Sequence, residues 1–480
     1  MRKLFPITLF AASMMAGMAS AQEAPKTDAA AMEELKAQLR VMQERLQSLE
    51  AKANAPVPIP IATAPVAKTQ AAPATTQIKW ENSPRFTEAS ATFKMRGRLL
   101  VDAVDVNVDR ETGPSYKSRQ YRARQLFLGA EGQVGSWAYR LEGGAANGSG
   151  WAWDDAVIEY RMKSGMLLTV GNQKVGGLEN LTSIKTITFM ERGPFGDLTD
   201  NGFVLAAQAT KVGRNWSLRG ALQGDSINKA DVAAGAYNVN NAKERSGVMA
   251  RATWAPVMTP TQTVHLGVSA RYREIGGETP FTYSAAANTA YRAQNSAGGV
   301  LLSTGAVGKG DKTLALEGAW TRKSLSLQGE VAKIRVDRID TSRSAANGGQ
   351  DFDIVTGYAM ASWFPTGETR PYSAAGQFSR IKVLHPLDKG GRGAYELAAR
   401  YDFADLGDMK ANTATALTNQ PGLATAGTYK GLTAGLNWYP CSNVRFMANV
   451  TKAKINNRAI GALENDAKVT LLQTRMQIEF

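Results

Sequence analysis

The chain has 480 residues, a formal net charge of +14 and a hydrophobic fraction of 44%, with a single cysteine and only two histidines. One cysteine excludes an internal disulfide, and two histidines are too few for a metal cluster, so neither a disulfide-stapled fold, a metal site nor a cofactor is expected. Past the N-terminus no stretch approaches the ~18 to 20 consecutive apolar residues of a membrane helix. A protein that crosses a membrane with strands stays open, because its lipid-facing apolar residues alternate with polar ones.

The first element is MRKLFPITLFAASMMAGMASAQ, in which Arg2 and Lys3 precede an apolar run from Leu4 to Met18 and then Ala19, Ser20 and Ala21. This pattern predicts a signal peptide over residues 1–21. The alternative, an anchor helix, is disfavoured by the short run and its small terminal residues. Residues 22–52 follow, and there Met32, Leu35, Leu39, Met42, Leu46 and Leu49 are spaced by 3, 4, 3, 4 and 3 residues. That is a heptad seam, expected to form a short periplasmic coiled coil from Ala30 to Lys52. A solitary helix resting on the rest of the protein is the alternative, but a few heptads are marginal alone in water and point to self-association. Residues 53–79 are rich in Ala and Pro and are expected to be an extended linker.

From Trp80 to Phe480 a period of two recurs. FKMRGRLLVDAVDV places Lys94, Arg96, Arg98 and Asp102 on one face. Arg140 opposes Trp137, Tyr139 and Leu141; Arg161 opposes Ile158, Tyr160 and Met162; Arg219 opposes Trp216, Leu218 and Leu222. Further along, Arg251 opposes Val248 and Trp254, while His265, Arg271 and Arg273 oppose Leu266, Val268 and Tyr272. Arg400 and Glu396 oppose Leu397 and Tyr401. A soluble sandwich seldom lines its polar face with so many ions. The aromatics Trp137, Trp254, Trp320, Trp363, Trp438 and Tyr439 fall near strand ends, as interfacial girdles require. The final strand, KVTLLQTRMQIEF, alternates up to Phe480 and needs neighbours on both edges. The expected fold is therefore all-β, a transmembrane antiparallel barrel of roughly sixteen strands at about 25 residues per strand and connection. It would be preceded by the coiled-coil helix.

Removing the +2 of the signal peptide and the +1 of residues 22–79 leaves +11 on the barrel. Its inward faces carry Lys94, Arg96, Arg98, Arg140, Arg161, Arg219, Arg251, Arg271, Arg273 and Arg400. Guanidinium groups in a low-dielectric wall focus positive potential and bind oxyanions through paired donors. The same arginines could instead pair with Asp155, Glu159, Glu317, Glu330 and Glu396, and a single β-bulge would invert any of these face assignments. Residues 176–200 break the alternation, exceed a tight turn and carry Lys185, Glu191 and Arg192, so they are expected to fold into the lumen as a constriction.

The segments GNQKVGGLENLTSIKTITFMERG (Gly171 to Gly193), GETRPY (Gly367 to Tyr372), GGRGAYELAARYDFADL (Gly390 to Leu406) and GLTAGLNWYP (Gly431 to Pro440) resemble the phosphate-selective porin O and P family. The resemblance runs from about Phe93 to Phe480 and weakens between about Asp225 and Gly349, where Ala-, Asn- and Gly-rich stretches look like long loops. It implies a homotrimer of sixteen-stranded barrels in the bacterial outer membrane, loops folded inward, and an arginine and lysine track for phosphate. The expected partners are phosphate or other small anions, outer-membrane lipid and lipopolysaccharide, and further copies of the chain, with no nucleic acid. A general or organic-anion porin and a surface adhesion barrel are the alternatives. A hydrolase would need a Ser-His pair on the lipid-facing side, whereas His265 shares its face with Arg271.

Overall fold

The computed structural model describes Arg40, residues 43–45, Gln47 and residues 76–480 apart from 112–114, 148–149, 200–201, 229–243, 277–279, 292–301, 339–350, 407–426 and 458–465. The chain divides into two units, Met1–Ala72 and Pro73–Phe480. In the first, Arg40, residues 43–45 and Gln47 are helical and exposed. The signal peptide, the heptad residues Met32, Leu35, Leu39, Met42, Leu46 and Leu49, and residues 53–75 of the linker lie outside the described residues.

In the second unit one sheet runs through nineteen strands. Sixteen form a ring: β1 (Ala91–Arg110), β2 (Tyr116–Val134), β3 (Trp137–Ala146), β4 (Trp151–Arg161), β5 (Met166–Lys174), β6 (Phe203–Val212), β7 (Trp216–Gln223), β8 (Ser246–Met258), β9 (Gln262–Glu274), β10 (Leu302–Arg322), β11 (Leu325–Arg338), β12 (Phe352–Trp363), β13 (Ala394–Asp405), β14 (Gly427–Cys441), β15 (Val444–Asn457) and β16 (Ala467–Glu479). Each pairs antiparallel with the next, and β16 pairs with β1, so the barrel closes. The other three strands lie off the ring. Phe281–Ala285 adds to β10, while Gln77–Trp80 and Pro84–Glu88 form a hairpin that continues onto the start of β1. Gln77, Ile78 and Lys79, expected to end the linker, are thus already in a strand.

Closure explains why the sequence runs in strand to its end. The Phe480 N–H donates to Gly97 O at 3.1 Å and Gly97 N–H donates to Phe480 O at 2.9 Å. The Phe480 ring covers Gly97 so closely that a Cβ there would lie 2.4 Å from it, and a side chain would displace the terminal residue.

Alternation sorts the two faces as expected along the apolar belt. Leu126, Leu128, Ile158, Leu218, Leu266, Leu316, Leu432 and Leu472 are exposed outward, whereas Arg98, Glu142, Arg251, Glu317, Arg400 and Arg475 are buried inside. Trp137, Trp254 and Trp363 are about half exposed at the end with the tight turns, where Tyr395, Trp438 and Phe446 stack in a row. Tyr439 does not join this girdle. It follows Trp438, so it points inward, where its hydroxyl donates to Glu396 at 2.7 Å. Towards the long-loop end the pattern reverses: Val104, Val106 and Val108 are buried, while Asp105, Asn107 and Asp109 of the same strand turn outward. The inside there is filled by Phe281, Tyr283 and Tyr291 from the β9–β10 connection and by Leu302 at the start of β10, so apolar residues are now the ones that gain by facing in.

Two bulges place consecutive residues on the inside. The β1–β2 register shifts between Leu100 and Val101, where Arg124 and Gln125 both face the lumen. The β3–β4 register shifts between Leu141 and Gly143, and Asp154 and Asp155 both turn in.

Candidate functional site in the barrel lumen

Three connections enter the barrel. The first joins β5 to β6 and contains α1 (Leu178–Leu181) and α2 (Pro194–Thr199). Its apolar residues Leu178, Ile187, Phe189, Met190 and Phe195 are buried. Its backbone has no ladder partner, so wall side chains satisfy it. Arg445 donates to Ile187 O at 2.8 Å, Asn437 to Thr188 O at 2.9 Å, Arg475 to Met190 O at 2.6 Å and Gln477 to Lys185 O at 2.9 Å. Glu330 of β11 accepts the N–H groups of Leu178 and Glu179 at 3.0 and 2.6 Å. It is therefore a cap for α1, and not one of the arginine partners it was available to be.

The second connection, 364–393 between β12 and β13, enters from the tight-turn end, and the sequence reading did not anticipate it. Its Tyr372 hydroxyl lies 2.6 Å from His265 Nδ1, and Gly376 O accepts from Arg251 at 2.8 Å. Gly376 has φ of +75°, and a Cβ there would come within 3.0 Å of Arg251 and Thr253, so the close approach requires glycine. Arg370 bridges this connection to Glu396 of the wall and to Thr186 O of the first connection. The third, between β9 and β10, is fixed by Asn288, which donates to Asp402 at 2.8 Å and accepts from Tyr429 at 2.8 Å.

These segments leave a cavity of about 980 Å³ beside β1 to β7. Its lining carries nine basic side chains (Arg96, Arg98, Arg124, Arg140, Arg161, Lys174, Lys185, Arg192 and Arg219) and six acidic ones (Glu142, Asp154, Asp155, Glu159, Glu191 and Asp197), a surplus of three positive charges. Of the wall residues selected from sequence, Arg96, Arg98, Arg140, Arg161 and Arg219 reach it. Lys94, Arg251, Arg271, Arg273 and Arg400 lie on the inner face but outside this lining.

Most of these arginines have acidic partners. Arg96 meets Glu142 at 2.7 Å and Glu131 at 3.2 Å, Lys94 meets Glu131 at 3.9 Å, and Arg98 is held by Glu142 and Asp154. Arg140 pairs with Asp155 at 3.0 Å, Arg251 with Glu317 at 2.8 Å, and Arg271 and Arg273 with Asp311. Arg400 is gripped by Asp402 at 2.9 Å and Glu179 at 3.2 Å. Arg161 and Arg219 differ: among the described residues neither has an acidic partner, and Arg219 only donates to Ala375 O at 3.4 Å. Arg219 also stands directly opposite Arg251 in the β7–β8 ladder.

The three residues expected in the constriction separate into distinct tasks. Arg192 donates to Glu179 O at 3.0 Å and to Asn180 and Thr182, so it shapes its own segment. Glu191 is the anchor, taking 2.8 and 3.1 Å bonds from Arg124 and a 2.6 Å bond from Arg475. Burial would push its carboxyl up, but those two guanidinium groups hold it at about 2. Lys185 faces the cavity 3.4 Å from Glu142; burial, despite that carboxylate, draws its ammonium below the usual lysine range, and Arg96 and Arg98 push the same way. In a Cys441→Ser background, a bulky thiol reagent on Lys185→Cys is expected to cut single-channel current sharply. Unchanged current would place this segment away from the solute path.

Arg124, Arg370, Arg445 and Arg475 were not selected from sequence. For Arg475 the signal was present, since the terminal strand alternates cleanly and puts it inward with Gln473 and Gln477. Arg124 sits in a bulge that no alternation rule reveals.

Comparison with known proteins adds the family. The chain is 29% identical over 475 residues to an uncharacterized protein of Caulobacter vibrioides, covering 93% of this chain and 88% of that one. Among solved structures it is similar to OmpT of Vibrio cholerae, with 9% identity, a TM-score of 0.49 and coverage of 82% and 99% of the two chains. It is also similar to the outer membrane channel DcaP of Acinetobacter baumannii, with 13% identity, a TM-score of 0.46 and coverage of 82% and 99%. The family model described as phosphate-selective porin O and P matches residues 93–480, which spans the whole ring of strands from early β1 onward. With the barrel closed and its lumen polar, the chain is a porin of the bacterial outer membrane and belongs to the phosphate-selective porin O and P family.

Proposed function

We propose that this porin is an anion-selective channel for passive uptake of phosphate or related oxyanions. The observation that carries the reading is the Arg161 and Arg219 side of the cavity. Like charges directly opposite in a ladder destabilise it, yet Arg219 faces Arg251, and only Arg251 has a carboxylate partner. An oxyanion passing Arg219 would supply the missing charge and accept paired guanidinium bonds. The acid-paired wall residues Lys94, Arg96, Arg98, Arg140, Arg251, Arg271, Arg273 and Arg400 would then shape the field and hold the inward segments.

Reversal potentials in a planar bilayer under a potassium chloride gradient test this directly. Anion preference is expected, with chloride current reduced as phosphate is added. Preference for potassium would end the anion reading. The cavity of about 980 Å³ favours, as a second reading, a broader porin for organic anions. Equal block by phosphate and by a dicarboxylate would support that one. The heptad spacing of residues 30–52 further supports a trimer whose N-terminal helices associate in the periplasm. Sedimentation of the full-length protein in detergent as a monomer would defeat it.

A further inference from the structure

On the outer surface, Lys430 of β14 lies directly opposite Lys454 of β15, and Lys454 directly opposite Lys468 of β16. Lys452, two positions along β15, stands opposite Leu432 and Thr470. All four side chains are exposed, while their strand neighbours Tyr429, Ala453, Ile455 and Val469 are buried inside. Three like charges in one row oppose ladder formation. Three other outward cations, on β10 and β11, have acidic partners: Lys312 meets Asp337 at 3.6 Å, Lys333 meets Asp353 at 2.7 Å and Arg335 meets Asp353 at 3.3 Å. Among the described residues the four lysines have no acidic partner, and Asp109, opposite Lys468, accepts instead from Asn107.

Their height fixes what they meet. Leu432, Val450 and Leu472, exposed at 59%, 45% and 50%, are the nearest outward apolar residues on the same three strands. Lys430 lies one two-residue repeat, ~7 Å, beyond Leu432, and Lys452, level with Leu432, lies the same distance beyond Val450, so the group starts at the edge of the apolar belt on the long-loop side, the level of lipid headgroups. At a strand spacing of ~4.8 Å the row is about 10 Å wide, which suits more than one phosphate on a single headgroup. We propose that Lys430, Lys452, Lys454 and Lys468 form a binding site for a lipid of the surrounding leaflet whose headgroup carries two or more phosphates, as lipopolysaccharide does. Clustered basic residues at the edge of a membrane belt recognise such headgroups by charge, and the leucine and valine surface beneath accepts the acyl chains.

The test uses the full-length protein in detergent, titrated with bisphosphorylated lipid A and with the same lipid stripped of phosphate, and followed by native mass spectrometry. The wild type is expected to retain the bisphosphorylated lipid. The quadruple variant Lys430→Gln, Lys452→Gln, Lys454→Gln, Lys468→Gln should bind it at least tenfold more weakly, with no difference for the stripped lipid. Its single-channel conductance should match wild type, which shows an intact barrel and separates this site from the lumen. Equal binding by both proteins overturns the proposal. So does displacement of the lipid by millimolar inorganic phosphate, which would mark a free-anion site, or loss of the oligomer with lipid binding unchanged, which would mark a contact between copies.

Discussion

Arg475→Ala is expected to destabilise the barrel by about 3 to 5 kcal/mol and to raise single-channel conductance, because it leaves buried Asp102 without its cation and takes one of two from Glu191. The Arg475 side chain is fully buried and donates to both oxygens of Asp102, at 2.7 and 2.8 Å, to Glu191 at 2.6 Å and to Met190 O at 2.6 Å. One guanidinium thus ties the closing strand β16 to β1 and to the inward segment between β5 and β6. Without it, Arg124 alone holds Glu191. Glu191→Gln is the milder companion, since it loosens the segment at this one anchor while leaving Arg475 paired with Asp102. Thermal unfolding in detergent and bilayer conductance would be read together. An Arg475→Ala barrel with wild-type melting and wild-type current would show that this junction anchors nothing.

The same junction sets an acid limit. Glu191 ionises at about 2 in the folded protein against 4.5 ordinarily, so its contribution is fully present above about 4.5 and is lost as pH falls towards 2. The difference corresponds to roughly 3 kcal/mol. Channel current should hold steady from neutral pH to about 5 and lose its constriction only well below that. In Glu191→Gln this acid step should vanish.

Strand parity was legible because it is local. Lys94, Arg96 and Arg98 alternate with Phe93 and Met95, and the barrel turns them inward as the spacing requires. The closing strand was legible for the same reason as far as Phe480, although its seat on Gly97, in the first strand of the ring, was not. What alternation cannot express is an insertion. Arg124 with Gln125 and Asp154 with Asp155 each put two neighbours on one face, and the second bulge supplies the partners of Arg98 and Arg140. Partner choice was also hidden, since Glu330 lies on the same face as Glu317 yet caps α1, and its role depends on a segment more than a hundred residues away in sequence. Residues 364–393 carried a usable sign: about thirty residues with several Gly and Pro between two strands at the tight-turn end is too long for a simple connection. Tyr439 was misplaced for a simpler reason. It neighbours Trp438, and adjacent residues in a strand cannot both face the lipid.

Those pairings also decide which arginine reports on selectivity. Removing Arg251 would leave buried Glu317 without its guanidinium partner, and removing Arg271 would leave buried Asp311 with Arg273 in place of two arginines, so any change in ion preference would be mixed with a change in packing. Arg219 has no carboxylate to strand among the described residues, and its Nε is without a partner. A unit charge at 4 Å from a passing ion is worth about 1 kcal/mol even in a water-like dielectric, or roughly fivefold in occupancy. Because a cation at the same place is disfavoured by as much, Arg219→Ala should lower the anion-to-cation permeability ratio by at least about fivefold. Arg219→Lys keeps the charge but loses the planar pair of donors, so it should restore the chloride preference more fully than the phosphate block. Arg219→Glu should carry the ratio below that of the alanine variant, because it turns an attraction into a barrier at the same place. Reversal potentials for the four channels, measured at low salt where screening is weakest, form a graded series if Arg219 borders the solute path. Four equal values would mean that anions cross elsewhere.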